Sequence, residues 1–459
     1  MEMPAKGFHI DKKRLIDIAS VTMLVHALCG LLRYLTNITV VLALDYTSTL
    51  LLLFATVVHC IQFRPKAPSL KRICLEHKLL IFVFLWCIVS TVANFIIQGK
   101  EGVSFAPNAL HDVILTVFVY FPFGIYIARN DMPSLARKLF KGFVAGWSLF
   151  MVFVLVNVFM GRAIELPGKI MIGGTWYNST FCLNNNPNHT SCIESVFLTL
   201  CLFLALRSKQ TGERILFCTF SIVHFTGMVL SNSRTYLASI LFFLTLLSFF
   251  AAFRRLENQK TPIRIVISAL IALAVCGALC LLKHAVSAVY EVCPHYINEA
   301  RLLDETQPSS PYFSTVSFRI GMWKACVKAL FTDPLLFLFG NGPANSKALM
   351  LRLIEREYYT HNQFIEIAAC AGVPCLLAFV ALVVLILKDA WQVGRRNMLD
   401  AVKLFFILYL LSLLLANTME ALLMFYRRPG SYVFYISCGW ICEQARLMRT
   451  EIDTGMNAA

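Results

Sequence analysis

The hydrophobic positions of the chain fall into long apolar runs, each bounded by charged or glycine-rich segments. A bilayer core of about 30 Å needs roughly 20 helical residues to cross it, and only helices or closed barrels satisfy the backbone there. The runs lack the apolar–polar alternation of barrel strands, so they predict helices. Twelve spans are predicted, at 14–34, 38–62, 78–98, 109–128, 140–160, 190–206, 214–230, 235–253, 263–283, 362–387, 400–418 and 430–446.

One segment between the predicted spans is several times longer than an ordinary connection. Residues 284–360 separate the ninth and tenth spans and contain STVSFRIGMWKACVKALFTDP, in which apolar residues recur at helical spacing. This pattern predicts an amphipathic helix at the membrane face that ends at Asp333-Pro334, followed by a glycine-bearing turn in FLFGNGPANSKA. The predicted apolar positions are Phe318 or Ile320, Trp323, Val327 and Leu330, with Arg319, Lys324 and Lys328 beside them.

The composition supports the same fold class. A hydrophobic content of 58% and a mean hydropathy of +0.68 are too high for a soluble domain. The chain is therefore predicted to be an all-α integral membrane protein with about twelve transmembrane helices. Residues 1–459 would form one multi-pass domain, with 284–360 as a long extracytoplasmic loop containing the amphipathic helix. The first span has no small-residue cleavage site before it, so we expect it to be retained.

The basic residues predict the orientation of these spans. With a cytoplasmic N-terminus, 26 of the 41 Lys and Arg fall in cytoplasmic segments, as membrane proteins prefer. Both termini are then cytoplasmic. Because this asymmetry accounts for most of the +15 net charge, the charge does not indicate a nucleic-acid partner. Arg427 and Arg428 are exceptions on the predicted outer side, where they could contact a carrier phosphate or lipid head groups, or lie in a solvated loop.

The cysteines and the ionisable residues inside the spans predict packing rather than a metal or cofactor site. The sixteen cysteines form no CxxC pair and no histidine spacing suited to zinc. Ionisable groups within apolar spans are functional candidates by default. Here we expect them mainly to make buried hydrogen bonds: His26, Asp45, His59, Glu194 and His224.

The stretch YYTHNQFIE at 358–366 places polar residues at the start of the tenth predicted span. Thr360 and Gln363 have the spacing of a capping box, which predicts that the helix begins at His361. Asn362 and Glu366 would then share one face of the helix. The positive end of a helix favours a neutral imidazole, which can accept a proton. His361 is therefore either a base or an interfacial residue that caps the helix.

Two arginines on the same predicted side have unusual positions. Arg234 in LSNSRTYLAS stands at the start of the eighth span, where both the helix dipole and the distribution of basic residues disfavour a cation. Arg319 lies on the predicted amphipathic helix. Each could be a snorkelling or solvated side chain. Together with His361 they could instead bind one anionic ligand, and the guanidinium fork suits phosphate.

These stretches resemble the O-antigen ligase and polymerase superfamily, which assembles glycans of the bacterial envelope. The matching segments are SNSRT at 231–235, FRIGMW at 318–323, GNGPAN at 340–345 and THNQFIEIAACAG at 360–372. NNPNHTSC at 185–192, which contains Asn188, resembles an asparagine-bearing segment of the family. Each motif alone is short, but their order matches the predicted spans along most of the chain.

The resemblance implies a metal-independent glycosyltransferase of the bacterial cytoplasmic (inner) membrane, with no cofactor and an extracytoplasmic active site. The donor would be a glycan on undecaprenyl diphosphate, and the acceptor a glycolipid, lipid A–core, or another lipid-linked glycan. Arg234 and Arg319 match the arginines expected to hold the diphosphate, and His361 matches the histidine expected to activate the acceptor hydroxyl. Asn188, Asn362, Arg427 and Arg428 are the further candidates for substrate binding.

Three alternative functions differ in what they require of the chain. A polymerase of the same family uses the same donor chemistry and differs from a ligase mainly in its acceptor, which no residue identifies. A secondary transporter often shows two related halves with interrupted helices, and the sequence shows neither. A non-enzymatic assembly protein would bind the lipid-linked glycan without turning it over. The sequence favours the ligase-like enzyme.

Overall fold

The computed structural model is a helical bundle. It describes residues 12–35, 44–55, 74–129, 134–166, 170–172, 175–176, 180–181, 183, 187–294, 316–396, 400–425 and 429–453. The helices of the first half are α1 Lys12–Leu35, α2 Leu44–Ala55, α3 Leu75–Gln98, α4 Ala106–Leu115, α5 Phe121–Arg129, α6 Ser134–Phe159, α7 Pro187–Arg207 and α8 Thr211–Ser231. Those of the second half are α9 Arg234–Arg255, α10 Thr261–Glu291, α11 Val316–Thr332, α12 Pro334–Phe339, α13 Ser346–Ile354, α14 Gln363–Arg396, α15 Ala401–Asn417 and α16 Pro429–Asp453.

Short non-α elements complete the described chain. A 3₁₀ turn at Glu101–Val103 precedes α4, and a π-helical turn at Thr116–Tyr120 joins α4 to α5. Two small antiparallel hairpins follow α6. In the first, β1 Ile164–Leu166 pairs with β2 Ile170–Ile172, and in the second, β3 Thr175–Trp176 pairs with β4 Thr180–Phe181.

Eight helical elements among the described residues are long and apolar enough to cross a membrane. They coincide with eight of the twelve predicted spans, from 78–98 through 263–283 and at 362–387. The other four predicted spans coincide with α1, α2, α15 and α16. These four are shorter or more polar over the described residues, so the total of twelve stays a prediction.

The helices differ in how deeply they lie in the bundle. In α7, 78% of the most apolar window is buried inside the protein, whereas in α10 the share is 11%. The α7–α8 hairpin forms the most extensive helix contact, followed by α5 with α16, α9 with α10 and α3 with α14. We infer that α7 is central and that α10 exposes its apolar side chains at the rim, where lipid would cover them.

Buried ionisable side chains inside the bundle are paired, as expected. Glu194 Oε2 lies 2.7 Å from His224 Nδ1, and His224 Nε2 lies 2.9 Å from Ser148 Oγ, so this chain of contacts ties α6, α7 and α8 together. Near α1 and α2, His26 Nδ1 lies 3.3 Å from Asp45 Oδ1. His59 lies outside the described residues.

Helix α11 is present in the predicted amphipathic segment, and one of its two apolar stripes packs against the protein. Met322, Cys326 and Leu330 are buried, at a spacing of four residues, and pack with residues of α13 and α14. Ile320 and Val327 are instead 41% and 40% exposed. Helical spacing alone permits two apolar stripes, and packing against α14 selects one of them.

The predicted stop of α11 is confirmed. Asp333 caps the next helix, α12, because its Oδ1 accepts hydrogen bonds from the N–H groups of Leu335 and Leu336. Pro334 then occupies the first position of α12, where its missing N–H costs nothing.

Candidate functional site

The start of α14 differs from the predicted start. The helix begins at Gln363, and Asn362 is its cap, because Asn362 Oδ1 accepts the N–H groups of Phe364 at 3.0 Å and Ile365 at 3.1 Å. The predicted capping box of Thr360 with Gln363 is therefore wrong. An asparagine is at least as good a cap as threonine, and it stands two residues later.

His361 accordingly lies outside the helix rather than in its first turn. Its φ is +50°, a left-handed conformation that turns the chain immediately before the cap. Thr360 is fixed from the other side, since its Oγ1 donates to Glu366 Oε2 at 2.9 Å and its carbonyl accepts from Trp323 Nε1 at 2.6 Å. The tight turn between these anchors directs the imidazole away from α14.

The imidazole meets a buried carboxylate that the sequence analysis did not single out. Glu420, only 3% exposed, lies in the loop between α15 and α16. Its Oε2 is 3.1 Å from His361 Nδ1, and its Oε1 accepts from Asn188 Nδ2 at 2.8 Å and from Arg319 Nη2 at 3.3 Å. Three predicted site residues from separate parts of the chain thus converge on one acidic side chain. We call Glu420, His361, Arg319 and Asn188 the Glu420 cluster.

The loop that carries Glu420 is held by hydrogen bonds on both sides of that residue. Asn362 Nδ2 donates to the Thr418 carbonyl at 2.9 Å, and Arg319 Nη1 donates to the Met419 carbonyl at 2.6 Å. Gln363 Oε1 accepts from the backbone N–H groups of residues 423 and 424. The start of α14 and the middle of the cluster therefore form one connected unit.

Arg234 follows a residue that is hydrogen-bonded to the Glu420 cluster, but its own side chain is not bonded to the cluster. It is the first residue of α9, and the preceding Ser233 donates from Oγ to Asn188 Oδ1 at 2.7 Å. The Arg234 side chain is exposed, and among the described residues it makes no hydrogen bond or ion pair. Arg427 and Arg428 lie outside the described residues.

The glycine-bearing turn at 340–345 packs against a break in α14. Gly372 has φ 83° and ψ 170°, and Pro374 follows within the same helix, so the normal hydrogen-bond ladder is interrupted. Trp86 Nε1 donates to the freed carbonyl of Ala371 at 3.0 Å, and the backbone N–H of Asn341 donates to the carbonyl of residue 369 at 2.7 Å. These contacts set the direction of the first turns of α14, next to His361.

The cluster combines a carboxylate with a permanent cation and an imidazole. The side chains of Arg319 and His361 are 18% and 17% exposed, whereas that of Glu420 is 4% exposed. A guanidinium has five N–H donors, so its two bonds to the 419–420 segment leave three for a ligand. The accessible side of the cluster is therefore formed by hydrogen-bond donors and an imidazole ring.

Cys326 of α11 is a buried thiol in this region. Burial, and secondarily the nearby Glu366, raises the pKa of Cys326 to about 12. The side chain is therefore a neutral thiol near neutral pH, and it packs rather than acting as a nucleophile.

A group of side chains that could hold a metal ion lies elsewhere. Among the described residues, Cys74, Glu76 and Cys442 bring three potential ligand atoms within 4.8 Å of one another. Cys74 and Glu76 lie at the beginning of α3 and Cys442 lies on α16, whereas the end of α3 contacts the glycine turn through Gln98 Nε2 and Asn341 Oδ1 at 3.3 Å. The possible metal group and the glycine turn are thus at opposite ends of α3.

Residues 219–380 match the family model described as O-antigen ligase (Wzy_C), and this segment contains Arg234, Arg319 and His361. This match supports the resemblance of the chain to the O-antigen ligase and polymerase superfamily. The matched segment runs from α8 into α14 and covers roughly a third of the chain. The comparison with curated proteins finds none that matches. With its many apolar helices, the chain is a membrane protein.

Glu420 and Asn188 of the cluster lie outside the matched segment. The sequence feature that could have indicated Glu420 is its position. It is a single carboxylate directly after the eleventh predicted span, on the same predicted side as His361. Sequence alone places many polar residues on that side, so nothing indicated which of them meets the histidine.

Proposed function

We propose that the chain is a ligase-type glycosyltransferase that moves a glycan from undecaprenyl diphosphate to an acceptor hydroxyl, without a metal ion. The observation that carries this proposal is the convergence of His361 and Arg319 on Glu420. The exposed Arg234 at the start of α9 is linked to the same carboxylate through Ser233 and Asn188. It supplies a proton acceptor and cations at one end of a membrane bundle. The family match and its implied lipid-linked glycan substrates support the same reaction.

The proposed step transfers one proton and one glycosyl group. His361 takes the proton of the acceptor hydroxyl while that oxygen forms a bond to the anomeric carbon. The bond from the anomeric carbon to the diphosphate oxygen breaks, and the diphosphate leaves with the electron pair. Negative charge grows on the diphosphate in the transition state, so Arg319 and Arg234 stabilise it most there.

We place this site on the extracytoplasmic side of the bacterial inner membrane, with both termini in the cytoplasm. The excess of Lys and Arg in the opposite segments supports that orientation. Hydrogen bonds join segments predicted to lie on one side, as between Asn188 and Glu420 and between Gln98 and Asn341. Such contacts are required if these loops form one face of the bundle.

The acceptor is proposed to be lipid A–core, and a polymerase would instead use a second lipid-linked repeat. The two reactions share every step at the donor diphosphate. Purified protein in lipid vesicles, given labelled undecaprenyl diphosphate-linked glycan and one acceptor at a time, separates them by product. Transfer to lipid A–core supports the ligase, transfer only to a lipid-linked repeat supports the polymerase, and binding without turnover of either contradicts the enzyme.

The same assay tests the two arginines. Arg319→Ala and Arg234→Ala should each lose most transfer while still accumulating in the membrane. Lysine should restore little, because it keeps the charge but not the paired donor geometry. Lys328→Ala is the matched control, since Lys328 is an exposed cation on the same helix as Arg319 and should transfer normally. Normal transfer by an alanine variant of either arginine would remove that residue from the donor site.

A further inference from the structure

We propose that Glu420 is a positioning residue of the transfer site, whose carboxylate orients both the His361 imidazole and the Arg319 guanidinium. This inference rests on the proposed function. It assigns a role to a residue outside the matched family segment, from the contacts of its two oxygens.

The contact with His361 decides which imidazole nitrogen can act as a base. An ionised carboxylate only accepts hydrogen bonds, so at 3.1 Å from Glu420 Oε2 the Nδ1 atom must carry the hydrogen. Nε2 is then the atom with a free lone pair. When Nε2 takes the acceptor proton, the adjacent carboxylate stabilises the positive ring that forms. The carboxylate itself does not take up a proton in this step.

The contact with Arg319 decides how the guanidinium faces the donor. One N–H of Nη2 is directed at Glu420 Oε1 and one N–H of Nη1 at the Met419 carbonyl, at 3.3 and 2.6 Å. Both bonds end on adjacent residues of one loop, so the plane of the guanidinium is fixed. Its three remaining N–H groups stay available as donors, and phosphate oxygens are acceptors that suit a guanidinium.

Glu420 can do this because its own position is over-determined. Asn188 Nδ2 donates to Oε1, and the backbone on both sides of Glu420 is bonded to Asn362 and Gln363. Donors on this many sides hold the carboxylate in place. Beside the His361 and Arg319 side chains, Tyr236 of α9 is a further titratable group near it among the described residues, and its hydroxyl is buried.

Two substitutions separate a role in charge and orientation from a role in packing. Glu420→Gln keeps the shape but removes the charge and places an amide N–H₂ against a donor. Glu420→Asp keeps the charge but withdraws it by one methylene. If Glu420 positions His361, kcat should fall by about 10²- to 10⁴-fold in Glu420→Gln, as when the carboxylate that orients a catalytic histidine is neutralised. Glu420→Asp should retain more activity than Glu420→Gln.

The decisive comparison uses a second background. In His361→Gln protein, adding Glu420→Gln should reduce kcat much less than it does in the wild-type chain, because groups acting through one another are not additive. The affinity for the donor should still fall in both backgrounds, through Arg319. Asp400→Asn, an acid-to-amide change at the other end of α15, is the matched control and should transfer normally.

The outcomes distinguish this inference from the proposed function. Wild-type transfer by Glu420→Gln, or a Gln variant more active than the Asp variant, overturns the positioning role while leaving the transferase intact. No transfer by the wild-type chain with any acceptor overturns the proposed function. If Glu420→Gln does not accumulate as a folded protein, Glu420→Asp alone decides the question, and its full kcat would contradict the role.

Discussion

Replacing His361 tests whether the group at the start of α14 is a base. In the structure, Asn362 caps the helix, and His361 contributes one side-chain hydrogen bond within the described part of the chain, between Nδ1 and the buried Glu420. A hydrogen bond to a charged group contributes about 1.5–3 kcal/mol, so His361→Ala should destabilise the fold by about that much. His361→Gln can still donate to Glu420, so its stability should stay near that of the wild-type chain.

The expected effect of these substitutions on the transfer rate is larger than their effect on stability. The two variants should also differ less in rate than in stability. Removal of a general base slows a reaction by roughly 10²- to 10⁴-fold, which is about 2.7–5.4 kcal/mol of activation free energy. Glutamine cannot take up a proton near neutral pH, so His361→Gln should be almost as slow as His361→Ala despite its intact fold. A residue that only positions the loop would show the opposite pattern, with activity following stability.

The assay measures initial rates of transfer from purified lipid-linked donor on both sides of neutral pH, together with donor binding and the melting temperature of each variant. Donor binding should be largely kept in both variants, because Arg319 and Arg234 remain. Near-wild-type transfer by His361→Gln at every pH would refute the reasoning: the histidine would then be structural, and the base would lie elsewhere.

Two further predictions concern the fold and the orientation. Gly372→Ala should lower the melting temperature markedly, because φ 83° suits glycine and an added Cβ would lie 2.1 Å from the Leu338 carbonyl oxygen; the backbone conformation alone should cost about 1–3 kcal/mol. Gly277→Ala, within α10 and with nothing near its Cβ, is the control and should be neutral or slightly stabilising, and equal melting of the two variants would contradict the argument. A reporter active only outside the cytoplasm should give signal when fused after Ser310 and none after Arg255, and the reverse would place the proposed site on the wrong face.

Sequence patterns predicted the helices well, because membrane helices are specified locally. A helix satisfies its own backbone hydrogen bonds, so a sufficiently long apolar run is enough to indicate it. The eight long apolar helical elements coincide with predicted spans for this reason. Asp333 as a stop and Arg234 as a helix start are likewise decided by neighbours within one turn.

Helix boundaries that depend on competing caps were less predictable. Both Thr360 and Asn362 could cap α14, and sequence spacing favoured the first. The structure uses Asn362, while Thr360 bonds to Glu366, a carboxylate fixed within the bundle. The face of α11 that is buried was undecided for the same reason, since only packing against α14 selects between its apolar stripes.

The sequence by itself determined an apolar helical bundle and a set of polar residues, among them His361, Arg319 and Asn188, on one predicted side. Only the tertiary structure decided that these three meet at Glu420, and that the exposed Arg234 follows a serine, Ser233, that bonds to Asn188. The residues of the Glu420 cluster lie up to 232 positions apart in the chain. Such contacts depend on how the helices pack, and helix packing is set by side chains along the whole bundle, far from the residues that meet.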